Sequence, residues 1–119
     1  MSRIAVLWEL WHYFNGRYFG GKLIPPRAIR LTSARSYDGT LYYKGNSGVT
    51  HFHLAHLTKI CLSTHQTEAE LYGTLLHEMV HMYQLQVWRR EPDHDAWFKA
   101  YCRWIERHCH FPLRVSRKA

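Results

Sequence analysis

The sequence predicts an α+β fold, and three changes of texture along its 119 residues predict it. Apolar residues first recur at helical spacing, then alternate with period two between turn signals, then return to helical spacing for the rest of the chain. That order reads as an N-terminal helix, a small antiparallel sheet of three or four strands, and two further helices.

The first helix is expected over 2–19. Ile4, Leu7, Trp8, Trp11, Phe14 and Tyr18 fall three or four residues apart and make one aromatic-rich face. Gly20-Gly21 stops it and Pro25-Pro26 prevents it from resuming. Residues 28–32 and 39–44 then alternate, with turn signals at Asp38-Gly39 and over 45–48, and 49–53 and 57–62 add two more candidate strands. Thr67-Glu68-Ala69-Glu70 has the form of a capping box, which fixes the start of a second helix running from Glu68 to about Trp88, with Gly73 as its weak position. Pro92 cannot continue that helix, and Asp93 is placed to cap the next one, expected over 94–108. Residues 1–113 are expected to form one domain and 114–119 a disordered basic tail.

Composition narrows the class. Apolar residues make up 46% and aromatics 15%, too many for a disordered chain. The three cysteines, Cys61, Cys102 and Cys109, form no CxxC pair, so neither a zinc ribbon nor a disulfide framework is encoded. The apolar stretch 4–11 is interrupted by Glu9 and has no cleavage site after it, and no run is long enough to span a membrane. A cytoplasmic monomer, with association with the nucleoid as the alternative, is the resulting expectation. The net charge of +7 favours a polyanionic partner, although a solvated basic surface gives the same number.

The chemistry concentrates in Leu75-Leu76-His77-Glu78-Met79-Val80-His81-Met82. Residues four apart on a helix lie about 40° apart around its axis and one turn along it. His77 and His81 can therefore offer imidazole nitrogens to one ion, expected to be a single zinc, while Glu78 is better placed to reach a water than to be a ligand. With ten histidines, His-Glu-x-x-His can arise by chance, but the surrounding helix is apolar on nearly all sides. Two histidines and a carboxylate on such a helix need partners, because unpaired polar burial is costly. His94, just past Pro92, is the leading third ligand, with Glu91, Asp93 and Asp95 as rivals. Asp95 is also a candidate for orienting an imidazole.

At this point the chain resembles the SprT-like family of zinc metallopeptidases, which includes the bacterial SprT proteins and the SprT domain of Spartan. The resemblance runs through Tyr18-Phe19-Gly20-Gly21-Lys22-Leu23, Ile60-Cys61-Leu62-Ser63, Thr74 to His81, and His94 ahead of Phe98. It implies a zincin-like helix, with His77, His81 and His94 as zinc ligands, the last supplied by the C-terminal helix, and Glu78 as the catalytic glutamate. For the Spartan branch it implies a DNA-dependent protease acting on proteins crosslinked to DNA. Asp95 follows His94 where many members carry glycine, and no zinc ribbon is encoded. Any DNA contact is therefore expected from the domain itself or its tail.

The remaining candidates are less specific. Tyr42, Tyr43, His56 and Tyr83 are candidate oxyanion donors. His51 and His53 share a face of a candidate strand and invite a second metal site, and an edge strand near the zinc invites an extended peptide. Arg103 and Arg107 share a helix face and, with Arg114, Arg117 and Lys118, are candidate contacts to DNA, preferentially single-stranded; Arg27, Arg30 and Arg35 add charge in the sheet region. The leading expectation is a zinc metallopeptidase acting on DNA-associated proteins. The alternatives are a zinc peptidase indifferent to nucleic acid, and a nucleic-acid-binding module whose zinc is not catalytic.

Overall fold

The computed structural model describes residues 2–42, 45–46, 49–50 and 58–113. Helix α1 spans Arg3–Tyr18; the Ser2 side chain caps it by accepting from the Ala5 amide. Its buried face, Leu7, Trp11, Phe14 and Tyr18, is the centre of the stripe that the spacing predicts, with Ile4 and Trp8 only partly buried beside it. The helix ends where Gly20 and Gly21 take φ of 63° and 70°, a left-handed turn that side chains disfavour.

Among the described residues five strands follow: β1 (Ala28–Thr32), β2 (Gly39–Tyr42), β3 (Gly45–Asn46), β4 (Val49–Thr50) and β5 (Lys59–Ser63). The short pair β3–β4 is antiparallel and separate. The main sheet has the order β1-β5-β2 and is mixed: β2 runs antiparallel to β5, but β1 runs parallel to it. The expectation of a purely antiparallel sheet is corrected here, and burial explains the change. Ile60, Cys61, Leu62 and Ser63 are all buried, so β5 needs cover on both faces and takes the centre. The half-exposed, alternating β1 and β2 serve as edges. The end of β5 is clasped from both sides, since the Ser63 amide donates to Asp38 O at 2.7 Å and the Thr64 amide to Thr32 O at 2.8 Å.

Helix α2 (Glu68–Gln86) lies on this sheet against β2 and β5, with α1 and α3 (Ala96–Glu106) also packed on it. The capping box is present as predicted: Glu70 N donates to Thr67 Oγ1, and the Thr67 amide donates to Glu70 Oε1 at 2.9 Å. Helix α3 starts two residues later than its pattern suggests. Its N-cap is Asp95, which accepts from the Phe98 amide at 2.9 Å, and not Asp93, which accepts from the His94 amide instead. His94 consequently belongs to the connection between the helices and not to the first turn of α3. Among the described residues no helix is long and apolar enough to cross a membrane.

Candidate metal centre

Because the capping box fixes where α2 begins, it also fixes which residues of α2 face the sheet. The weak position Gly73 turns out to be a close approach: a Cβ there would lie 1.9 Å from the Pro112 carbonyl oxygen. The absent side chain lets the C-terminal segment 111–113 lie directly on the helix. One turn further along, His77, Glu78 and His81 open into a cleft of about 240 Å³, closed on its other sides by Gly39, Thr40 and Leu41 of β2 and by Pro92 and His94.

The three imidazoles converge. The Nε2 atoms of His77 and His81 lie 3.2 Å and 3.0 Å from Nε2 of His94. Nitrogens about 2.0–2.1 Å from a tetrahedral ion would stand about 3.3 Å apart, so the three fit one ion between them. Buried Phe98 forms a common floor, with its ring centroid 4.9 Å from His77, 4.3 Å from His81 and 4.8 Å from His94. His77, His81 and His94 are positioned to hold a metal ion, and they are the cluster of this kind found among the described residues.

The far side of each helical imidazole is occupied. His77 Nδ1 lies 2.8 Å from the Leu113 carbonyl, and His81 Nδ1 lies 2.9 Å from Gln84 Oε1. An oxygen that can only accept leaves the proton on Nδ1 and the lone pair on Nε2, facing the cleft. The Leu113 amide in turn donates to Glu106 Oε2 at 2.7 Å, so α3 steadies the segment that orients His77. Burial also keeps both rings neutral, lowering the pKa of His77 to about 4 and of His81 to about 3.

Glu78 points into the same space and is only 5% exposed. Burial raises its pKa to about 8, so without a nearby cation the carboxyl holds its proton at neutral pH. Gly39 makes this tight enclosure possible. A Cβ on Gly39 would come within 2.4 Å of Thr74 Cγ2 and 3.4 Å of Glu78 Oε2, so a larger residue would prise β2 from α2.

A family model described as SprT-like matches residues 7–118. The chain belongs to the SprT-like family. No curated protein matches it. Within this SprT-like domain the four residues singled out around the His-Glu-x-x-His pattern all line one cleft. Asp95, a rival ligand, caps α3 and pairs with Arg90 at 2.7 Å, and among the described residues no hydrogen bond from it to an imidazole is seen. Tyr83 packs against Phe19, Trp97 and Tyr101 and does not line the cleft. Arg103 and Arg107 are exposed on α3, away from its buried face. Tyr43, His51, His53, His56, Arg114, Arg117 and Lys118, together with the side chain of Tyr42, lie outside the described residues. Two partners of the site went unpredicted. Gln84 did carry a signal, as a polar residue one turn past His81 and next to Leu85. The Leu113 carbonyl carried none, since a backbone acceptor has no identity in sequence.

Proposed function

We infer that this SprT-like protein is a zinc-dependent metallopeptidase. The observation that carries the reading is the convergence of three imidazole nitrogens beside a buried carboxyl, with no hydrogen-bond partner for that carboxyl seen among the described residues, in a strand-lined cleft. Imidazole ligands suit zinc, and three of them leave a position open, as catalytic sites require. A bound zinc supplies Lewis acidity toward a peptide carbonyl and brings the pKa of water down to about 7. A cation held by His77, His81 and His94 would also favour the ionised form of Glu78. Glu78 then takes the proton of the attacking water and returns it to the departing amine. β2 lines the cleft and, among the described residues, ends the main sheet, which supports reading it as the strand along which an extended peptide lies. A non-catalytic zinc fits less well, because structural sites are closed by four protein ligands and would leave Glu78 without a task.

The substrates are read as proteins associated with single-stranded DNA. Support comes from the net charge of +7 and from the surface of α3. There Trp88, Trp97, Tyr101, Trp104 and His108 form a chain of neighbouring rings, with centroids 4.6, 5.1, 5.7 and 4.9 Å apart in that order. Trp88 and Trp104 are exposed, Arg90 lies over Trp88, and Arg103 and Arg107 are exposed nearby in sequence, an arrangement suited to unpaired bases and phosphates.

The deciding experiment is digestion of a basic DNA-binding protein by the zinc-loaded chain, with and without single-stranded DNA, beside Glu78→Gln. Turnover by the parent alone, falling about 10²–10⁴-fold in the variant while zinc stays bound, is the expected result. Equal turnover by the variant would end the catalytic assignment. Turnover indifferent to DNA would keep the peptidase and remove the DNA.

A further inference from the structure

Gln84 is fully buried on α2, and the chemistry just described makes no use of it. Its amide makes three contacts. Nε2 donates to the Asp93 carbonyl at 2.8 Å, and Oε1 accepts from the Asp93 amide at 3.1 Å and from His81 Nδ1 at 2.9 Å. The two Asp93 contacts settle which end of the amide is which, because a backbone N–H needs an oxygen and a carbonyl needs an NH₂. With Oε1 so assigned, the proton of His81 must sit on Nδ1, and the lone pair on Nε2 faces His94 at 3.0 Å. The residue held at its backbone by Gln84 is also the one directly before His94, and its carboxylate accepts from the His94 amide at 2.8 Å. A single buried amide therefore acts on two of the three imidazoles, one through its tautomer and the other through the position of its chain.

We propose that Gln84 is a positioning residue of the metal centre, which locks His81 as its Nδ1–H tautomer and clasps the Asp93–His94 segment so that the two imidazoles meet at one ion. The proposal rests on the metal-binding part of the reading above, not on peptidase activity. Core filling alone is a poor account of the residue. An apolar side chain of the same shape would fill the space without an amide that must be fully bonded to be tolerated.

The first test needs no variant. In the metal-free parent chain, long-range ¹H–¹⁵N spectra of the histidine rings should show His81 as the Nδ1–H tautomer; the Nε2–H form would overturn the proposal. The second compares Gln84→Met, which fills the space without an acceptor, with Gln84→Glu, which keeps an acceptor for both His81 and the Asp93 amide. Zinc affinity by chelator competition should fall about 10–100-fold in Gln84→Met and by clearly less in Gln84→Glu, which keeps the acceptor for His81 but loses the donor to the Asp93 carbonyl. The visible spectrum of the cobalt-substituted chain should change only in Gln84→Met. Equal losses in both variants with unaltered cobalt spectra would reduce Gln84 to packing, and an unchanged Gln84→Met would remove its role. None of these readouts requires turnover, so zinc binding without digestion would end the peptidase reading and not this one.

Discussion

The middle of α2 and the segment joining α2 to α3 bring the same chemical group to the cleft by opposite means. His77 and His81 sit on a helix whose phase is set by its cap, with Nδ1 atoms held by Leu113 and Gln84 and rings kept neutral by burial. His94 is exposed and sits in a connection where Arg89 adopts a φ of 56° and where no Nδ1 partner is seen among the described residues. Its place depends on Phe98 beneath it and on Asp93 being gripped by Gln84. The helical pair is thus prepared before an ion arrives, while the third ligand is brought to it by contacts that a few changes can undo. The difference suggests that affinity is built mainly into α2 and that the connection completes the site.

The strongest test of that contrast is ligand removal. His77→Ala and His81→Ala should each weaken zinc binding by more than the 10–100-fold typical of losing an outer partner, measured by chelator competition. His94→Ala should weaken it less, since the prepared pair survives. Equal losses at all three positions would break the comparison.

Next in size is the pH dependence of stability without metal, which isolates the buried group on α2. The unfolded chain takes up protons on His77 and His81 as pH falls through about 6.5, whereas their folded pKa values of about 4 and about 3 resist this, so stability declines toward acid. Glu78 works the other way. Its folded pKa of about 8 lies above its ordinary 4.5, so its contribution is full in acid and is lost as pH rises through 8. With two histidine protons against one on Glu78, the net slope is about 1 kcal/mol per pH unit on each side of a maximum near pH 6.5. Thermal melts in chelator should show that maximum, and Glu78→Gln should remove the decline on the alkaline side.

Gly73→Ala sharpens the contrast from outside the cleft. The added methyl meets the Pro112 backbone, which is not the yielding end of a side chain, so a loss of about 1–3 kcal/mol in denaturant titration is expected. Because the same segment presents the Leu113 carbonyl to His77, zinc affinity should fall with it. Retained affinity would show that His77 needs no such anchor. The smallest effect belongs to Arg90→Ala, which breaks a half-exposed ion pair with Asp95 and should cost under about 1 kcal/mol with zinc affinity unchanged. A large loss of affinity there would transfer the grip on the connection from Gln84 to the ion pair.

Much of this was legible in the residues. Gly20-Gly21 ends α1 where the pattern stops it, and Thr67 with Glu70 starts α2 where the capping pattern places it. The four-residue repeat of His77 and His81 put both on one face, and Pro92 marked the break before His94. Sheet order was not legible, because period-two alternation states which face a side chain takes but not which neighbour its strand chooses. The start of α3 was misplaced because Asp93 and Asp95 are equally good caps by residue type. Their surroundings decided between them: Gln84 holds the backbone of Asp93, while Arg90 steadies Asp95.

By itself, then, the sequence determined those features that act within a turn or two of chain: helix ends, the spacing of two ligands, and the carboxyl between them. Tertiary structure alone decided the mixed sheet, the enclosure of Glu78 behind Gly39, and the acceptors that fix the tautomers of His77 and His81. The physical reason is range. Caps and helical phase are set by neighbours along the chain, whereas burial and the choice of a hydrogen-bond partner depend on groups brought together only when the core closes.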